Sequence, residues 1–298
     1  MNWNAYRWSR SAWMAAVAVC LGATPALAQR GVGPFVLRSG NNAFNVRLIK
    51  RQSDTLWISR QNQQGVNFEA GIPMADITVV EVPRPRAFDL AELAVASNQI
   101  VQAREGVRTI SDMLKPFRDV PGVPADEALY QLGRLSEKEG RIAEALVYYE
   151  DIIKQSYASP MAARARMRAG LSHERVRNHE KALEYLNAAV IPDDDVELLS
   201  EALFAKGQAN AALRRFPEAI ESYLYLVVFY PYAQSNEVRC LEAVLPCYAE
   251  IKDWDALYKT IQIIKTSYPG SREAAMADEY AAEHNKELTE EKPFQEKP

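Results

Sequence analysis

From Leu90 onward, apolar residues return at intervals of three and four, whereas the stretch before Pro83 alternates apolar and polar residues in short runs. These two periods predict a small β region followed by a long helical one. The candidate strands are Phe35–Leu37, Phe44–Ile49, Thr55–Ser59, Val66–Glu69 and Ile77–Val82, separated by turn residues such as Ser39-Gly40-Asn41-Asn42 and Gln52-Ser53-Asp54. Five short strands in succession predict a small barrel, with Trp57 in its core beside Leu56 and Ile58. Pro83-Arg84-Pro85-Arg86 ends the strand pattern, because proline supplies no ladder donor and biases its predecessor toward extended geometry.

The helical part repeats itself. Sliding the sequence against itself aligns Ala145, Ala182, Ala219 and Ala256 at an offset of 37 residues, with Gly133, Gly170, Gly207 and Val244 each twelve residues earlier. Two antiparallel helices approach closely only where the facing residues are small, so glycine on the first helix and alanine on the second mark a crossing. On the second helix Ala145, Tyr149 and Ile152 stand at i, i+4 and i+7, as do Ala182, Leu186 and Ala189, and Ala219, Tyr223 and Leu226. Each set forms one apolar stripe, which a single hairpin cannot bury and a stack of hairpins can. Leu90–Phe117 has helical periodicity without the repeat and is expected to supply a degenerate first hairpin. Pro160 after Ser159 marks a further helix start, Ser271 is a plausible N-cap for a terminal capping helix over Ser271–Glu283, and Asn285–Pro298, rich in Glu, Lys and Pro, is expected to be disordered.

Leu132-Gly133, Gly140, Ala145 and Tyr149 together resemble the tetratricopeptide repeat, whose pattern runs Leu-Gly, a turn glycine, alanine and an aromatic residue. Later repeats depart from it: Arg177, Arg214 and Ile251 stand at the turn glycine and Val244 at the glycine of the first helix. Tyr230-Pro231 and Tyr268-Pro269 close second helices as in periplasmic and outer-membrane-associated members of that family. The run from Gly71-Ile72-Pro73 to Val79 resembles the closing strands of the Sm-like barrels attached to repeat proteins in some exported bacterial families. The resemblance implies a mainly α protein: a tetratricopeptide-like α-α superhelix, a right-handed solenoid of helical hairpins, preceded by a small all-β barrel-like domain. The expected divisions are a leader over 1–28, a β domain over 32–84, repeats over 87–283 with core hairpins over 125–269, and a charged tail over 284–298.

The ends and the charge narrow the function. Arg7 and Arg10 precede an apolar run over Ala12–Ala23, and Ala26-Leu27-Ala28 suits signal peptidase, so the chain is expected to be exported and cleaved after Ala28, giving a periplasmic or secreted protein. That run is too short to remain as a membrane span, so no stable transmembrane anchor is expected after cleavage. Val19, which precedes Cys20, stands where a lipidation signal needs a small residue. Removing the leader takes away Arg7 and Arg10 and no acidic residue, moving 35 basic against 39 acidic residues to 33 against 39, a net charge of −6. A chain of that sign lacks the basic surface for nucleic acid. The remaining Cys240 and Cys247 sit seven residues apart on one helix, roughly 10 Å between Cα atoms and beyond disulfide reach.

The sequence nominates no catalytic residue, cofactor or metal. His173 and His179 flank a five-residue spacer where the zinc signature has three, and both read as structural. Asp193-Asp194-Asp195 lacks the central glycine and terminal glutamate of a calcium loop and reads as helix capping. No phosphate loop, nucleophile elbow or Cys-His pair is present, so an enzyme is not expected.

A partner-binding face is the remaining candidate. One residue along the first helix from the buried stripe turns a side chain by about 100°, toward the concave face of a solenoid. That column holds Tyr130, Met167, Phe204 and Leu241, followed four residues on by Arg134, Leu171, Gln208 and Leu245. The apolar members would anchor a peptide or protein partner, and Arg134 and Gln208 would set its register. A tightly wound array would instead bury the same column. The leading expectation is an exported scaffold that recruits a partner through this groove within an envelope-associated complex. Self-association through the column, or glycan binding by the β domain with Trp57, are the alternatives.

Overall fold

The computed structural model describes residues 31–62, 64–97, 100–155, 159–189, 195–232 and 236–290. The leader, Cys20, Asp193, Asp194 and residues 291–298 of the tail lie outside them. The chain divides into two compact units, one running to Tyr148 and taking in Gln155–Ser159, the other made of Tyr149–Lys154 and the chain from Pro160 onward.

In the first unit β1 (Val32–Ser39), β2 (Asn42–Gln52), β3 (Thr55–Gln61), β4 (Asn67–Pro73) and β5 (Val79–Glu81) form one antiparallel sheet in the order β4-β3-β2-β1-β5. The strand period of two puts Leu37, Val46, Leu48, Leu56, Ile58 and Val80 on one buried face, where Phe117 and Val120 pack against them. The sheet is open, not the expected barrel. β5 has three residues, and its Val80 N–H, pointing away from β1, donates to the Pro121 carbonyl at 2.7 Å. The loop at Pro121-Gly122 thus occupies the edge that a barrel would need for closure. Gly122 permits this approach: its φ is +87°, and a Cβ there would lie 2.3 Å from the Val80 carbonyl oxygen.

Trp57 is the second correction to the β region. Leu56 and Ile58 point into the core, so the residue between them points out. Trp57 is half-buried on the opposite face, over Gly71, with the Lys50 ammonium 5.2 Å from its ring.

Helices α1 (Arg86–Ser97), α2 (Ile100–Leu114) and α3 (Ala125–Lys138) follow, with α1 and α2 as the expected degenerate hairpin. Phe88, Val107, Leu114, Leu132 and Leu135 form their shared core. Arg104, buried in it, is paired with Glu139 and Glu144 and donates to the Ser136 hydroxyl at 3.2 Å. Carboxylates and a hydroxyl meet the two terminal nitrogens of this buried cation, while its Nε is buried without a hydrogen-bond partner.

The second unit contains α5 (Ala162–Arg175), α6 (His179–Asn187), α7 (Val196–Ala212), α8 (Phe216–Phe229), α9 (Asn236–Ile251), α10 (Trp254–Ser267), α11 (Arg272–Glu283) and α12 (Asn285–Glu290); α4 (Ile142–Ile153) begins in the first unit and ends in the second. The glycines mark close approaches, but the residue opposite each is a large one four positions after the expected alanine. A Cβ on Gly170 would meet the Leu186 side chain at 2.6 Å, and one on Gly207 the Tyr223 ring at 2.4 Å. Asn178, Asp195, Asp253 and Ser271 cap α6, α7, α10 and α11 through their side chains. The tail expectation fails over its first residues: α12 is helical and buries Leu288 in the core of this unit.

The turns within the hairpins reveal a change of step. Gly140, Arg177, Arg214 and Lys252 have φ between +58° and +75°, and in each case the following N–H returns to a carbonyl five residues back. Their spacings are 37, 37 and 38 residues. The left-handed residue of the last hairpin is therefore Lys252 rather than Ile251, and the buried stripe of α10 is Leu257, Ile261 and Ile264 instead of one starting at Ala256. The same 38-residue step takes Ala202 to Cys240, both buried, so the extra residue lies between Leu226 and Cys240.

Two outcomes follow for stability. Gly207→Ala should destabilise the chain by about 1–3 kcal/mol, since the Tyr223 ring has no room to withdraw. Arg177→Gly should stabilise it by about 0.5–1 kcal/mol, because an L side chain is disfavoured at positive φ. Urea unfolding of the two variants beside the parent would check both signs.

Candidate partner-binding surface

The structure separates the eight residues of the expected groove. Tyr130, Met167, Leu171, Phe204, Leu241 and Leu245 are buried; Arg134 is half-buried and Gln208 exposed. Met167 and Leu171 pack with Leu186, Leu198, Ala202 and Ala205. Phe204 lies between the Tyr223 ring, 5.3 Å away, and the Arg239 guanidinium, 3.4 Å from its centroid. Leu241 and Leu245 leave the column altogether. With a 38-residue step, the residues equivalent to Phe204 and Gln208 are Glu242 and Pro246, and Leu245 takes the crossing position of Gly170 and Gly207. The apolar members of the column thus contribute core, and the groups they leave to solvent are polar.

The polar residues inside the array also take structural places. Asn236 is buried and donates to the Ser200 hydroxyl at 3.1 Å and the Tyr230 carbonyl at 2.9 Å, tying the start of α9 to α7. His179 Nδ1 lies 2.8 Å from the Glu174 carboxylate across the α5–α6 turn. Cys240 and Cys247 are free and buried, and burial pushes their thiols up to about 12 and about 11. Asp195 accepts from the Leu198 N–H at 3.1 Å as a helix cap. Among the described residues no three His, Cys, Asp or Glu side chains are grouped to hold a metal ion, and no helix is long and apolar enough to cross a membrane.

His173 is the most exacting of these groups. It is buried on α5, stacked on the Tyr185 ring at 5.3 Å and 16°, and neither ring nitrogen has a hydrogen-bond partner.

Among the described residues of the second unit, a group of exposed apolar side chains lies outside the expected groove. On α8 and the turn after it, Tyr225, Val228, Phe229 and Tyr232 are 42%, 67%, 62% and 93% exposed. The spacing of Tyr225, Val228 and Phe229 places them on one stripe of α8, with the Tyr225 ring 4.6 Å from that of Phe229, while Tyr232 lies beyond the end of the helix. Comparing repeats gives the signal that was missed. At the places of Tyr225, Val228 and Phe229, α4 and the residues after it carry Asp151, Lys154 and Gln155, and α10 carries Ile263, Thr266 and Ser267.

The hairpin geometry, left-handed turns and small crossing residues can now be set beside known proteins. Residues 118–197 match the tetratricopeptide repeat family model. Among solved structures, a tetratricopeptide repeat protein from Parabacteroides merdae is 15% identical with a TM-score of 0.50, covering 68% of this chain and 75% of that one, which shows a shared fold. A MamA protein from AMB-1 (17% identity, TM-score 0.47, 64% of this chain and 95% of that one) and the TPR-like repeats of a Podosopora anserina putative kinesin light chain (14%, 0.48, 63% and 99%) are also similar. No curated protein matches the chain. The helical array is of tetratricopeptide type, a fold typical of protein-interaction modules.

His173 gives this array a pH dependence of known sign. Burial, and secondarily the Lys181 charge, push its imidazole below its ordinary 6.5, against the opposing pull of Glu150 and Glu184. The unfolded chain therefore takes up the proton first as pH falls. The stability contributed by neutral His173 is complete above pH 6.5 and is lost as the pH drops through the lower folded value. The urea midpoint should fall between about pH 7.5 and about pH 5.5, and a His173→Phe chain, which keeps the stack on Tyr185, should lose less over the same interval.

Proposed function

We propose that this protein is an exported, non-catalytic scaffold that recruits a protein or peptide partner within an envelope-associated complex. The observation that carries the reading is the tetratricopeptide match over residues 118–197 on an array whose hairpins repeat by mutual packing. Export rests on the leader pattern of residues 1–28, with its basic start, apolar run and Ala26-Leu27-Ala28 end. The acidic balance of the mature chain supports a protein partner over nucleic acid. Within the second unit, partner contact on the groove side falls to the exposed Gln208, with the buried Met167, Leu171 and Phe204 in the core of the same helices.

Two measurements test this. N-terminal sequencing of the protein recovered from the envelope fraction of its host should begin at Gln29; an intact Met1 in the cytosol would sink the export reading. Photo-crosslinking from position 208 of the full chain should capture a discrete partner whose yield falls several-fold when an excess of the unlabelled parent chain competes for it. Capture that does not fall under competition would place recognition elsewhere.

A further inference from the structure

The repeat itself does not call for the aromatic ridge on α8. Hairpins of this array share their packing stripes, and where packing sets the residue, the repeats agree: Ala182, Ala219 and Leu257 are all fully buried. At these outward positions the described residues of the other hairpins carry no aromatic ring (Asp151, Lys154, Gln155, Ala188, Ile263, Thr266 and Ser267), while α8 presents Tyr225, Val228 and Phe229, with Tyr232 exposed just beyond its end. With aromatic side chains of about 150–250 Å² each, the three exposed rings present an apolar area on the order of 400 Å². Surface of that size, on residues the fold does not need, is expected to be covered in use.

Charge says by what. The same stripe runs back through Glu221 and Glu218, both exposed, and α8 contains no Lys or Arg. Its carbonyl end, the negative end of the helix dipole, has no basic residue in the last turn. Beyond the ridge, Glu237 is hydrogen-bonded to Tyr268. The ridge is therefore flanked by Glu218 and Glu221 on one side and by the negative end of the helix on the other, with Arg215 at the N-cap beyond Glu218 and Arg214 paired with Glu250. A second copy fits poorly. The area is about half of the roughly 800 Å² per partner that a stable interface uses, and two-fold pairing would bring Glu218 and Glu221 against the negative end of the partner helix. An anionic membrane surface fits poorly for the same reason of sign.

We propose that the α8 ridge is a docking site for an apolar segment of another protein flanked by Lys or Arg residues, with its apolar side chains on Tyr225, Phe229 and Tyr232 and its cations at Glu218, Glu221 and the helix end. This rests on the scaffold reading and deepens it, at positions other than Gln208.

The test is selection of a random peptide library displayed on phage against the mature full chain, followed by affinity measurement on two variants, Phe229→Ser/Tyr232→Ser and Glu218→Lys/Glu221→Lys. Every position changed is exposed, and circular dichroism verifies folding. The expected peptides combine large apolar residues with Lys or Arg, weaken about tenfold or more on each variant, and weaken further as salt is raised. Peptides that bind both variants as well as the parent overturn the docking site; if they weaken on Gln208→Glu instead, the scaffold reading stands without it. No selected peptide at all counts against both readings. Ridge-dependent self-association in sedimentation, or ridge-dependent binding only to vesicles of phosphatidylethanolamine and phosphatidylglycerol, overturns the proposal in favour of the other occupants.

Discussion

The distance at which the two helices of a hairpin cross governs the second unit. At Gly207 there is no side chain, so the Tyr223 ring lies directly against the α7 backbone. The same ring touches Phe204, and Phe204 is covered on its other side by the Arg239 guanidinium from α9. A single close approach therefore sets a stack that joins three consecutive helices. At Gly170 the same role falls to Leu186, a smaller partner with no ring to pass on, and the neighbouring core is aliphatic. The glycine fixes the spacing of the helices, while the residue opposite determines how far the contact spreads.

That dependence explains what the sequence made legible. Small residues at crossings, apolar stripes at i, i+4 and i+7, and the caps at Asp195 and Ser271 are local signals, and each fell where its physics requires. The last hairpin was read one residue out of step. Trp254-Asp255-Ala256-Leu257 imitates the alanine motif of the earlier repeats, yet the extra residue before Cys240 has already moved the register by one, and the Asp253 carboxylate caps the Ala256 N–H in that shifted register, as the Asn178 side chain caps the Lys181 N–H in the earlier one. One residue inserted between α8 and α9 shifts every buried position after it, from Cys240 onward. An alanine followed by a leucine satisfies the motif in either register, so residue identity alone could not distinguish them.

Two other failures share one cause. The open sheet and the buried column both depend on what a distant segment does. β5 was read as a closing strand, but its free edge is met by Pro121 and Gly122, which lie beyond two helices in sequence. Phe204 was read as facing a groove, but Arg239 from the next hairpin covers it. Periodicity gives the direction of a side chain relative to its own element and carries no information about what arrives opposite. Trp57 is the contrary case: strict alternation with the core residues Leu56 and Ile58 already placed it on the outer face.

Burial also changes the meaning of an aromatic residue in a repeat. Tyr149 and Tyr223 sit at positions where every hairpin buries a side chain, so their size answers a packing demand. Tyr225 and Phe229 sit where other hairpins carry Asp151, Gln155, Ala188, Ile263 and Ser267, none of them aromatic, and no packing demand accounts for the rings. An exposed ring at a position that the fold leaves free is maintained at some cost in solubility. In a repeat array the neighbouring copies act as internal controls, separating residues required by the architecture from those one copy holds for another purpose. By that comparison the face of α8, with its acidic approach at Glu218 and Glu221, stands apart from the repeat that builds it.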